Sequence, residues 1–191
     1  MRANIDDALD LYEAGDFAAA ATLLGRILRT ERRLADEDRA DLHYYLASCL
    51  DRAGDLQRAD EHFAAAARLA PEDYPLAPRE THAAFEKLVA SALDTIPERF
   101  ARYLRQVQVV AQDYPGVESE DPFVLGLYVG VPRTERDQYT LDHLDTVYVY
   151  KRAHELDFPD EEERREEVRK TIVHEIGHHF GMEEDEMGEY T

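Results

Sequence analysis

Val168, Ile172, Val173, Ile176 and Phe180 fall on one stripe when the chain is wound at about 100° per residue. The segment therefore reads as an amphipathic helix, opened by Pro159-Asp160 and closed by Gly181. Asp160 is its expected N-cap, and Glu161, Glu162 and Glu163 suit the positive end of the helix dipole. Glu161 with Arg165, and Glu166 with Lys170, are i,i+4 pairs of favourable sign. A second stripe, Phe85, Leu88, Val89 and Leu93, predicts a helix capped by Thr81. Pro97 either limits that helix or begins a further turn over Glu98 to Leu104. Between the two helices the period changes. Val107–Ala111, Phe123–Gly130 and Thr146–Tyr150 read as strands, the last with Thr146, Tyr148 and Tyr150 on one face. Helix, three strands, helix is an α+β layout whose sheet covers the apolar stripe of the final helix.

The front of the chain repeats itself. Leu11, Gly15-Asp16-Phe17, Ala20 and Leu24 return 39 positions later as Leu50, Gly54-Asp55-Leu56, Ala59 and Phe63. Helices joined by a Gly-Asp turn, with alanines where they cross, resemble tetratricopeptide repeats. The second copy carries His43, Leu46, Ala47, Leu50, Gly54, Ala59, Phe63, Ala66 and Pro71 at the spaced positions. The period is longer than that family's usual repeat, so Glu31 to Ala40 is expected to hold extra helix or loop. The resemblance implies a scaffold for a peptide or protein partner. Two copies make a short array, which normally needs a further unit or a cap to cover its faces. Ala70 to Arg79 carries three prolines and no apolar period, and reads as a linker. The expected organisation is helical repeats over 1–70, a linker over 71–80 and a second domain over 81–191.

The chemistry lies in the last helix. His174-Glu-Ile-Gly-His-His-Phe-Gly-Met-Glu-Glu184 contains an HExxH pentad. Residues four apart share a helix face, so His174 and His178 can hold one Zn²⁺, while Glu175 can reach a water on that metal. The histidines lie off the apolar stripe: one side packs on a core and the other faces a cleft. His179 falls near the stripe and is expected to pack. Gly177 would allow a close helix–sheet approach. Hydrolytic zinc sites use three protein ligands and leave a position for water. Gly181 can turn the chain back, and Glu184, ten residues after His174, has the spacing of a third ligand; Asp185 is the alternative. A second donor to the developing oxyanion is sought among Tyr190, His143 and His154.

Composition narrows the partners. The 191 residues hold 42 acidic against 22 basic side chains, a net charge of −20, with 44% hydrophobic residues for a core. Such a surface repels phosphate backbones and anionic membranes, which argues against nucleic-acid and membrane partners. No apolar run is long enough to span a bilayer. Cys49 is the single cysteine and falls in a helical apolar pattern, so a buried thiol is expected. Met1 to Asp10 has three acids and no apolar core, unlike a secretory signal; the expected compartment is the cytoplasm.

Pro97-Glu-Arg-Phe100, Val107-Gln-Val-Val110, Leu125-Gly-Leu-Tyr128, Asp145-Thr-Val-Tyr-Val-Tyr150 and Thr171 to Gly181 together resemble the small zincin-like bacterial metallopeptidases, or minimal zincins. The resemblance spans about residues 82 to 187. It implies a zinc-dependent peptidase fold with His174 and His178 as ligands and Glu175 as acid/base. That family usually has Asp at the third-ligand position, where this chain has Glu184. The expected function is a peptide hydrolase acting on a peptide or protein substrate. The alternative is a helical-repeat interaction scaffold whose metal site is vestigial or structural.

Overall fold

The computed structural model describes residues 2–31, 33–98, 104–105, 107–130 and 145–179. The chain forms two compact units, Met1–Leu76 and Ala77–Thr191.

The first unit is built from α1 (Arg2–Glu13), α2 (Phe17–Thr30), α3 (Asp36–Arg52) and α4 (Leu56–Leu69). Its two hairpins turn in the same way. Gly15 and Gly54 have φ of 76° and 80°, the left-handed region that glycine enters without steric cost. In each turn the following aspartate N–H reaches back five residues, Asp16 to the Leu11 carbonyl and Asp55 to that of Leu50, both at 2.9 Å. This closes the preceding helix as a Schellman motif. Ala20 and Ala59, at matching positions, are fully buried and let the helices approach closely. Cys49 is a buried thiol, and burial pushes its pKa up to about 12. Tyr74 follows α4, stacks on Tyr44 at 4.5 Å and donates to Asp41 Oδ1 at 2.7 Å. It thereby packs against α3.

The second unit is α+β. It contains α5 (His82–Asp94), β1 (Val107–Gln112), β2 (Gly126–Val129), β3 (Asp145–Tyr150), α6 (Lys151–Asp157) and α7 (Glu161–His179). The strand order is β1-β3-β2, with β1 parallel and β2 antiparallel to β3. Thr81 caps α5, its side chain accepting from the Ala84 N–H. Val147 and Val149 of β3 meet Phe85, Leu88 and Val89 of α5 and Val168, Ile172, Val173 and Ile176 of α7 in one core. Burying both helices on the same sheet face fixes the rotation of α7. Most of Glu98 to Leu104, together with Phe180 and Gly181, lies outside the described residues. Among the described residues no helix is long and apolar enough to cross a membrane.

Two expectations are corrected. Glu166 pairs with Arg169, at 2.9 Å from Nε, and Lys170 pairs with Glu167 at 2.7 Å. The i,i+3 partners displace the expected Glu166–Lys170 pair. The helix α6 has no counterpart in the hydrophobic pattern, because Lys151, Arg152, His154 and Glu155 all lie on its buried side.

Candidate metal centre

α7 is anchored at its start by two local devices. Asp160 Oδ1 accepts the N–H groups of Glu162 and Glu163 at 2.9 and 3.0 Å, satisfying donors that a helix otherwise leaves open. Arg164, 1% exposed, donates back to the carbonyls of Phe158 and Pro159 at 2.7 and 2.9 Å and pairs with Glu80. The helix continues unbroken through His179. With Val168, Ile172, Val173 and Ile176 turned to the core, His174 and Glu175 emerge half-exposed on another face. They line a cavity of about 310 Å³ with Val124, Leu125, Gly126 and Thr171.

Glu175 makes a contact that the sequence does not announce. Its Oε2 accepts the backbone N–H of Tyr128 in β2 at 2.9 Å. Gly126 makes that approach possible. A Cβ at this position would lie 2.4 Å from Thr171 Cγ2, 3.0 Å from the Tyr148 carbonyl oxygen and 3.3 Å from Glu175 Cγ. The glycine therefore lets α7 press against the strand. Glycine inside a strand is the available sequence signal for such a close approach, whereas a main-chain donor such as the Tyr128 N–H leaves no trace in side-chain chemistry.

His154 does not serve as an oxyanion donor. It is fully buried, with Nδ1 2.9 Å from the Tyr150 carbonyl and Nε2 3.2 Å from Thr171 Oγ1. Only an Nδ1–H can donate to the carbonyl, so Nε2 accepts from the threonine hydroxyl. Both ring nitrogens are engaged, Nδ1 at the start of α6 itself and Nε2 in holding α6 to α7. Burial pushes this imidazole from the ordinary 6.5 down to about 4. The folded state thus favours the neutral ring. Its contribution to stability is complete above pH 6.5 and is lost as pH falls toward 4. Thermal unfolding of wild type is expected to weaken across that window by up to about 1.4 kcal/mol per pH unit more than in His154→Gln. Parallel curves for the two proteins would contradict this role. His43 and His62, whose Nδ1 atoms lie 2.7 Å apart, also have lowered pKa values, but they are common to both proteins and cancel.

His178 follows His174 by one turn of the same helix. Its side chain, together with Glu184, Asp185, His143 and Tyr190, lies outside the described residues. Among the described residues no three His, Cys, Asp or Glu side chains converge on one point. The donor types do fit a zinc ion. Imidazoles one turn apart on a helix, and a carboxylate, are ordinary zinc ligands.

Residues 104–191 match the family model for a zincin-like metallopeptidase. The zincin-like match takes in all three strands, α6 and α7, just under half of the chain. It leaves α5 outside, although α5 supplies one wall of the same core. No curated protein matches the chain. The C-terminal region is thus a zincin-like domain, and the cavity beside His174 and Glu175 lies within it.

Proposed function

We propose that the chain is a zinc-dependent peptide hydrolase, with His174, His178 and Glu184 holding the metal and Glu175 acting as general base. One observation carries the proposal most directly: His174 and Glu175 share a cavity at the edge of the sheet, inside the zincin-like domain. When bound, zinc supplies Lewis-acid polarisation and lowers the pKa of water from about 15.7 toward roughly 7. Glu175 takes the proton of the attacking water on a carboxylate oxygen and passes it to the leaving amine. The missing Cβ of Gly126 lets the base sit close to the strand, and Val124 and Leu125 form an apolar part of the cavity beside it.

The test is metal analysis with a peptide-cleavage assay. Metal-replete wild type is expected to hold about one zinc per chain and to cleave peptides. His178→Ala is expected to retain its fold by circular dichroism and to lose most of both. Wild type that binds no zinc when metal is supplied would refute the proposal.

A second function is supported by the first unit, whose hairpin pair is like tetratricopeptide repeats in its turn and alanine positions. Leu28, Leu46 and Leu50 line a groove there of about 450 Å³, with Arg29, Arg58 and His62 at its polar positions. A groove of mixed leucine and basic lining in a chain of net charge −20 suits a peptide partner. A pure scaffold would keep its function in Glu175→Gln and lose it on substitution of Arg29 and Leu46.

A further inference from the structure

We infer that the Glu175 carboxylate is a latch on the sheet edge, which an incoming extended peptide must displace from the Tyr128 N–H. The inference rests on the hydrolase proposed above and narrows its substrate class to extended peptides, as against small amides.

The register of β2 gives the starting point. The Tyr150 N–H donates to the Leu125 carbonyl at 2.9 Å, and Gly126 lies opposite Val149. In an antiparallel pair, hydrogen-bonded and non-hydrogen-bonded positions alternate. Leu125, Leu127 and Val129 therefore direct their main-chain groups toward β3. Gly126 and Tyr128 direct theirs away from it. Among the described residues β2 is a terminal strand, so those outward groups lie on an edge. An extended peptide adding to a sheet uses the outward N–H and C=O groups of such an edge.

Tyr128 is the residue whose outward N–H Glu175 holds. A peptide carbonyl and the carboxylate compete for one proton donor. The charged acceptor makes the stronger bond, so the closed arrangement prevails in the absence of substrate. A peptide strand can offset that advantage with further rungs at Gly126 and with side chains in the neighbouring cavity. A lone amide supplies one carbonyl and no second rung. Displacement also detaches Oε2 from the strand, so the same event that seats the substrate releases the base.

Metal-free protein isolates this step from hydrolysis. The probe is an end-blocked hexapeptide of alternating Val and Thr, compared with N-acetylvaline N-methylamide. Glu175→Ala is expected to bind the hexapeptide about 10-fold more tightly than wild type, the scale of one charged hydrogen bond removed from competition. The small amide is expected to show no such gain. Tyr128→Pro, which deletes an outward N–H and no ladder bond, is expected to lose the gain when combined with Glu175→Ala. As a measurement independent of the proline variant, amide exchange at Tyr128 should quicken in Glu175→Ala and slow again on adding hexapeptide. Equal affinities for wild type and Glu175→Ala, absence of hexapeptide binding to Glu175→Ala, or unchanged Tyr128 exchange would each overturn the latch. Zinc binding and cleavage by wild type would stand through such a failure. Conversely, tighter peptide binding without any cleavage would leave the latch and remove the hydrolase.

Discussion

Glu175→Gln is expected to lower kcat/KM for peptide cleavage by about 10²–10⁴-fold, the usual contribution of a general base, while zinc content stays at the wild-type level. The substitution keeps the size of the side chain and an oxygen able to accept the Tyr128 N–H, so the packing of α7 against β2 should persist. What it removes is the ability to take a proton. Glu175 is not among the proposed ligands, so metal analysis separates loss of the base from loss of the site. Cleavage that survives undiminished would sink the proposed mechanism and favour the scaffold. Loss of zinc together with activity would instead make Glu175 part of the metal's own support.

Much of the fold was legible because its signals are local. Thr81 and Asp160 cap α5 and α7, and the described residues of both apolar stripes are buried, except Leu93, which packs half-buried against the core. The three strands fall within or beside their expected segments. Their order and mixed direction were not legible, because pairing β1 with β3 joins residues far apart in sequence and no turn chemistry fixes the choice. The short α6 escaped notice for a different reason. Its buried face is charged, so hydrophobic periodicity has nothing to register. At the site, the stripe implied that His174 would lie off the core, and it lines the cavity together with Glu175. The tie between Glu175 and Tyr128 was hidden, since one partner is the main chain. His154 was misleading in the opposite sense. A histidine near a candidate site attracts a chemical role, and its burial assigns it to packing.

The largest effect on stability is expected from Glu155→Ala, at about 3–5 kcal/mol. Glu155 is fully buried. Its Oε1 accepts the Glu80 N–H at 2.8 Å, and its carboxylate faces Lys151 Nζ at 3.4 Å and the Arg152 guanidinium. Lys151 and Arg152 are themselves 4% and 3% exposed. Removing the carboxylate leaves Lys151 with Asp113, which is largely exposed and 3.4 Å away, and leaves Arg152 without this buried counter-charge. The Pro78 carbonyl, 3.0 Å from Arg152, accepts a hydrogen bond but does not neutralise the charge. A drop in Tm on the order of 10–20 °C should follow for a unit of this size. The asymmetry of buried ion clusters supplies the decisive comparison. Breaking one by deleting a single partner is costly, whereas replacing the whole cluster with apolar groups of similar volume is often neutral or better. The triple variant Lys151→Met, Arg152→Leu, Glu155→Leu is therefore expected to be more stable than Glu155→Ala alone. A Glu155→Ala protein that melts with wild type would show the cluster to be solvated. A triple variant as unstable as the single one would show that the cost lies in the geometry of 78–80 against α6, where the Glu80 N–H loses its partner in both proteins and the Pro78 C=O loses its own in the triple variant.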